Sequence, residues 1–262
     1  MVLFFCLIPN RGARIGHQSY EHFLFVTYCK VYNFNFVYYP FTCNSAKFEN
    51  VLKFNTLYQN NYESIKDSCT IIKLEDIKDN LHSNLLEIHE KPENIMVYGP
   101  MCGNEEISSV LDKYITMNNM IETKLNYRKL LDNSYYKKYD MDYICIHIRC
   151  GDVMNDPTRY LSEDYFIDMY KKLVEKMPHY ENMKIIVMTE SNFNKKDKIL
   201  ENIQNCEIIN CDEINAFYIM VNSTVLIASR SGFSNLAYIL GHMMVVIPPN
   251  DWNQYYDNVI NI

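Results

Sequence analysis

Three side chains able to do chemistry close one short segment. Tyr143-Ile144-Cys145-Ile146-His147-Ile148-Arg149-Cys150-Gly151-Asp152 runs as an alternating apolar strand into an imidazole, a guanidinium and a carboxylate at a glycine turn. In an open α/β sheet, ligands bind outside the carboxyl ends of the strands, so His147, Arg149 and Asp152 are delivered to the edge where such sheets take nucleotides. The planar, permanently charged fork of Arg149 matches phosphate oxygens, and a strand end holds it rigid. The same residues also suit a structural ion pair of Arg149 with Asp152 beside a satisfied histidine. The segment alone leaves both readings open.

A second segment repeats this logic. Val225-Leu226-Ile227 leads into Ala228-Ser229-Arg230-Ser231-Gly232-Phe233-Ser234-Asn235, an apolar strand that ends in small hydroxyl residues and a glycine just before a helix. Ser229, Ser231, Gly232 and Ser234 would present hydroxyls and unsatisfied helix N-terminal amides to an anion, where the helix dipole also favours negative charge. Ser231 or Ser234 taken singly reads equally as an ordinary N-cap. A third loop, Gly12-Ala13-Arg14-Ile15-Gly16-His17-Gln18, follows the apolar run Met1 to Ile8. Its two glycines allow backbone amides to come close to a ligand, although turn chemistry explains them as well.

The elements that must position these residues are most regular in the second half. Strands are expected at Tyr143 to Ile148, Lys184 to Met188, Glu207 to Ile209, Thr224 to Ile227 and Met243 to Ile247. Helices are expected at Ser162 to Lys176, Lys195 to Ile203, Glu213 to Met220 and Phe233 to Gly241. Strict alternation with short joins specifies a mainly parallel, doubly wound sheet. In the first half, strand one is followed by a helix from Tyr20 to Val31 and a strand from Phe34 to Tyr39. Beyond it lie helices at Glu75 to His89 and Glu105 to Leu131 and a strand at Ile95 to Tyr98. The charged, tyrosine-rich stretch Asn133 to Asp142 reads as a connection, giving domains 1–140 and 141–262.

Length and composition narrow the classes. The 262 residues suffice for two modest domains, and a formal net charge of −7 without a basic stripe argues against nucleic acid as partner. The apolar opening is too short to cross a membrane and has no basic flank, so it reads as a buried strand and not as a transmembrane or signal segment. Nine cysteines without repeated CxxC spacing favour a reducing, cytoplasmic setting. Asp140-Met141-Asp142 has the spacing of a metal-holding carboxylate pair, but it precedes its strand and so lies at the opposite end from the ligand edge. No metal site is expected.

In this order the GARIGHQ loop, the HIRCGD strand end and the SRSGFS loop resemble the three shared motifs of the GDP-fucose fucosyltransferase superfamily, which includes the alpha-1,2-, alpha-1,6- and protein O-fucosyltransferases. The resemblance is strongest over Tyr143 to Pro249 and extends to Pro9 through Tyr39. It implies a GT-B-like architecture, in which two Rossmann-like domains face each other across a cleft, with the acceptor side in 1–140 and the nucleotide sugar in 141–262. It also implies metal-independent, inverting transfer of fucose from GDP-fucose to a glycan hydroxyl, with no cofactor beyond the donor. By motif, Arg149 would hold the donor β-phosphate and His147 would support the nucleotide. Ser229, Ser231, Gly232 and Ser234 would bind the diphosphate from the helix end. Gly12, Gly16, His17 and Gln18 would line the cleft from the other domain.

Two departures from the family pattern stand out. The second arginine of the central motif is Cys150 here, and an asparagine of the first loop is His17. The general base is open between Asp152 and Asp156, with His17 a more distant candidate. Two alternatives remain: the same fold using another nucleotide sugar, and a catalytically inactive carbohydrate-binding or scaffold protein.

Overall fold

The computed structural model describes residues 2–9, 13–57, 61–77, 79–100, 111, 113–129, 131, 139–190, 196–248 and 258–262. Gly12, the 105–110 start of the expected third helix and most of the expected 133–142 connection lie outside these residues. The chain divides into two compact units, Met1–Leu131 and Asp132–Ile262.

In the first unit, β1 (Leu3–Ile8) leads to α1 (Ile15–Val31) and β2 (Asn35–Val37), followed by β3 (Thr70–Lys73), α2 (Leu81–His89), β4 (Ile95–Pro100) and α3 (Met117–Arg128). The four strands form one parallel sheet in the order β2-β1-β4-β3. The helix expected over Glu75 to His89 is two pieces, Leu74–Ile77 and α2. Asn80 breaks it by taking a left-handed backbone at φ 62°, a conformation that asparagine tolerates better than most residues. The helix expected over Glu105 to Leu131 is interrupted by a turn at Lys113 and Tyr114, and α3 starts at Met117, where Thr116 takes an extended backbone and closes a reciprocal capping box with Asn119.

The second unit is a five-stranded parallel sheet in the order β7-β6-β5-β8-β9, made of β5 (Tyr143–Ile148), β6 (Lys184–Thr189), β7 (Cys206–Ile209), β8 (Val225–Ile227) and β9 (Met244–Val246). Between them run α4 (Glu163–Lys176), α5 (Lys196–Asn202), α6 (Glu213–Val221) and α7 (Gly232–Leu240). Counted from β5 this is the strand order 3-2-1-4-5, and the order reverses between β5 and β8, where such sheets bind ligands.

Period-two alternation along β5 sorts its side chains. Ile144, Ile146, Ile148 and Cys150 all enter one core cluster, with Leu173 of α4, Ile199 of α5 and Ile185 and Val187 of β6. Tyr143, Cys145, His147 and Arg149 therefore belong to the opposite face, where the Tyr143 hydroxyl donates to the Ile219 carbonyl of α6 at 2.7 Å. Cys150 is fully buried, with its sulfur 3.3 Å from the Thr189 hydroxyl. The position that carries a second arginine in the fucosyltransferase pattern is thus a core position in this chain.

This burial sets the outcome of Cys150→Arg. An arginine there would bring a charge into an apolar core without a built partner, at a cost above about 3 kcal/mol. A urea melt should show a clearly lowered midpoint; an unchanged midpoint would mean that the side chain at 150 can turn out of the core.

Candidate functional site at the carboxyl edge of the second sheet

The tip of β5 and the loop after β8 are joined by side-chain hydrogen bonds. His147 Nδ1 lies 2.5 Å from Ser234 Oγ and 3.1 Å from Ser229 Oγ, and the two hydroxyls are 3.3 Å apart. Ser229 and Ser234 are buried, and the imidazole meets the Phe233 ring edge-on at 6.0 Å. Burial, and after it the Arg149 charge, lowers the His147 pKa to about 4. The ring is therefore neutral at pH 7, holding its place by hydrogen bonds and not by charge.

Ser231 is the N-cap of α7, accepting from the Phe233 amide at 3.2 Å, while its own amide donates to the Ser229 carbonyl at 2.7 Å. Gly232 opens the helix. The first amides of α7 thus stand beside His147, Ser229 and Ser234 at the switch point of the sheet, with the positive end of the helix dipole among them. The residue before Ser231, Arg230, donates to the Thr158 carbonyl at 2.8 Å and so ties the loop to the segment that follows β5.

Arg149 is held at the same edge. Its Nη2 donates to both oxygens of Asp152, at 3.2 and 3.0 Å, and its side chain is only 10% exposed against 39% for Asp152. The structural ion pair considered from the sequence is therefore present. It orients the guanidinium at the strand tip, so the pair and a phosphate-binding role are compatible. Asp156 engages its own turn, accepting from the Thr158 amide at 2.9 Å and the Thr158 hydroxyl at 2.6 Å. That hydroxyl, chiefly, lowers its pKa, which makes it a weaker proton acceptor than an ordinary carboxylate.

The turn that carries Asp152 depends on Gly151, whose φ is +54°, a left-handed conformation that favours glycine. A β-carbon there would collide with the carboxylate of Glu190, the residue directly after β6. The sequence reading passed over Glu190. The strand-tip logic applied to β5 and β8 also holds for β6, and would have found it.

The remaining expected residues lie in the first unit. Gly16 and Gln18 are buried within the first turns of α1. Gln18 is a strut: its amide nitrogen donates to the Ala13 carbonyl at 2.7 Å, and its carbonyl oxygen accepts from the Thr42 amide at 3.0 Å. His17 pairs with Glu21 at 2.9 Å, a hydrogen bond that raises the His17 pKa, and its side chain is 54% exposed. Gly12 lies outside the described residues. Asp142, of the acidic pair before β5, accepts from the Thr224 hydroxyl at 3.2 Å at the opposite edge of the sheet. No group of three metal-ligating side chains occurs among the described residues.

The low pKa of His147 has a consequence for stability. An unfolded histidine titrates near 6.5, so between pH 6.5 and about 4 the unfolded chain binds a proton that the folded chain refuses. Stability is fully kept above that window and lost through it as pH falls, by up to about 3 kcal/mol for this one group. Urea midpoints at pH 7 and pH 4.5 should therefore differ less in His147→Asn than in the unmodified protein. Equal differences would show that the imidazole is protonated in the fold.

No family model matches the sequence, and no curated protein matches it. Among solved structures, the chain is similar to POFUT1 in complex with GDP-fucose in two crystal forms, at 9% and 11% identity with a TM-score of 0.50 in each case. These matches cover 92% of this chain and 95% and 96% of POFUT1. Another similar structure is the E. coli heptosyltransferase WaaC with ADP-2-deoxy-2-fluoro heptose, at 9% identity and a TM-score of 0.47, covering 99% of this chain and 92% of WaaC. The chain has the GT-B-like α/β fold, with a parallel Rossmann-like sheet in each of its two units.

Proposed function

We propose that the chain is a metal-independent, inverting glycosyltransferase that moves fucose from GDP-fucose to a glycan hydroxyl. The observation that carries this reading is the convergence, at the switch point of the second sheet, of the Arg149 guanidinium, the neutral His147 with its two serine hydroxyls, and the N-terminus of α7. Departure of a nucleoside diphosphate leaves negative charge on its β-phosphate. A fixed guanidinium and preorganised amide dipoles stabilise that charge as it develops, the task a metal performs in other transferases. The fold shared with POFUT1, crystallised with GDP-fucose, supports the choice of donor.

In this reading the second unit holds the donor and the first takes the acceptor. His147, unprotonated at pH 7, acts as a neutral hydrogen-bonding support for the nucleotide, while Arg149 supplies the charge. Asp152 keeps the guanidinium at the strand tip, and the acceptor proton is assigned to Asp152 or Asp156, of which Asp156 is weakened as a base by the Thr158 hydroxyl. Gly16, His17 and Gln18 are assigned to the acceptor side. A second reading, the same reaction with a different nucleotide sugar, draws on the loss of one cation: Cys150 stands in the core where the family pattern has arginine. A reducing, cytoplasmic setting is part of the proposal, on the nine cysteines without repeated CxxC spacing. No helix among the described residues is long and apolar enough to cross a membrane.

Arg149→Ala is expected to lower turnover of GDP-fucose by roughly a hundredfold or more, on the order of 3 kcal/mol in the transition state, with an unchanged melting temperature. Arg149→Lys should recover only part, because a point charge does not replace the bidentate fork. Near-normal turnover in a folded Arg149→Ala protein would end the phosphate assignment.

Activity is also expected to persist in EDTA. Complete loss on chelation, with recovery on adding manganese, would contradict the metal-independent reading and return attention to Asp140 and Asp142.

A further inference from the structure

We propose that Glu190 recognises a pair of sugar hydroxyls on the donor, beside its diphosphate. The inference rests on the nucleotide-sugar reading above and extends it to a residue that none of the three sequence motifs contains.

Position comes first. The register of β5 on β6 pairs His147 with Met188 and Ile148 with Thr189, so one further step places Arg149 opposite Glu190. Alternation gives the face: Ile185 and Val187 enter the core cluster that holds Cys150, and Thr189 touches Cys150. Glu190 therefore continues the other series, on the face shared by His147 and Arg149. Read across the carboxyl edge from β6 to β8, the order is the Glu190 carboxylate, the Arg149 guanidinium, then His147 with the serines and the start of α7.

Glu190 is half-buried, and its carboxylate lies against Gly151, where a β-carbon would have to displace it. Among the described residues it makes no hydrogen bond or ion pair, unlike Asp152, both of whose oxygens accept from Arg149, and Asp156, whose Oδ1 accepts from Thr158. A carboxylate next to a diphosphate site repels the ligand, so its presence there calls for a compensating contact. Ionised carboxylates only accept hydrogen bonds, and two neighbouring hydroxyls supply two donors that match the two oxygens. The tip of the second strand, counted from the switch point, is also where sheets of this order place the acidic residue that binds a ribose. Vicinal hydroxyls occur on the ribose and on the transferred sugar, and both flank the diphosphate.

Calorimetric titration of the full chain and of Glu190→Ala with GDP, 2′,3′-dideoxy-GDP and GDP-fucose tests this. Loss of two charge-assisted hydrogen bonds should weaken the ligand that carries the recognised hydroxyls by about tenfold or more. If those are the ribose hydroxyls, the unmodified protein prefers GDP to its dideoxy analogue and Glu190→Ala binds the two alike. If they belong to the transferred sugar, Glu190→Ala weakens GDP-fucose and leaves GDP unchanged or tighter. Glu190→Gln, which keeps the shape, carries the same comparison should the alanine variant lose its fold. Unchanged or tighter binding of every ligand by a folded variant overturns the role of Glu190 alone, since simple relief of repulsion acts in that direction. Failure of the unmodified protein to bind any of the three overturns the nucleotide-sugar reading and this inference together.

Discussion

The candidate site depends on one small polar cluster, the contact of His147 with Ser229 and Ser234. These side chains come from positions more than eighty residues apart, on β5 and on the loop and helix after β8, yet they lie within 3.3 Å of each other. A parallel sheet aligns its strand tips, but not the loops that leave them. Here the hydrogen bonds bind one such loop to the neighbouring strand and so fix the start of α7 beside the tip of β5. Because burial keeps the imidazole neutral, the cluster can sit next to Arg149 without adding a competing cation whose protonation would vary near neutral pH.

Charge at the site is arranged around that neutral centre. The Arg149 guanidinium is largely withdrawn from solvent and steadied by Asp152, which reaches it only because Gly151 turns the chain through a left-handed conformation. Arg230 donates to the Thr158 carbonyl and braces the loop against the segment that follows β5. The result is a well-held Arg149 beside helix amides, an arrangement suited to an anion whose charge grows during reaction.

Much of the second unit was legible in the sequence because each of its strands is a compact apolar run bounded by polar turns, and each helix carries its own stop. The expected bounds of β5 match the observed strand, and those of the other strands and helices differ by one or two residues. The first unit was harder to read. β3 is a short edge strand of largely exposed residues, Thr-Ile-Ile-Lys, without a buried face to impose alternation. The break at Asn80 is a backbone choice that hydropathy does not register. Within the site, His147, Arg149 and Ser234 could be found because they lie in motifs, whereas Glu190 directly follows its strand with no motif around it, so that only its place at a strand tip points to it. Alternation alone, carried past Ile148, would have put Cys150 in the core. Gln18 illustrates the opposite case, a motif residue whose amide is engaged in bracing two loops.

The central claim, that the tip of β5 and the start of α7 hold a nucleoside diphosphate, is tested most directly by comparing GDP, GMP and guanosine in calorimetric titrations at two salt concentrations. GDP should bind at least about tenfold more tightly than GMP, and guanosine weakest of the three. The advantage of GDP should shrink as salt screens the phosphate contacts. Equal affinity for all three, independent of salt, would show that the site reads the base without the diphosphate.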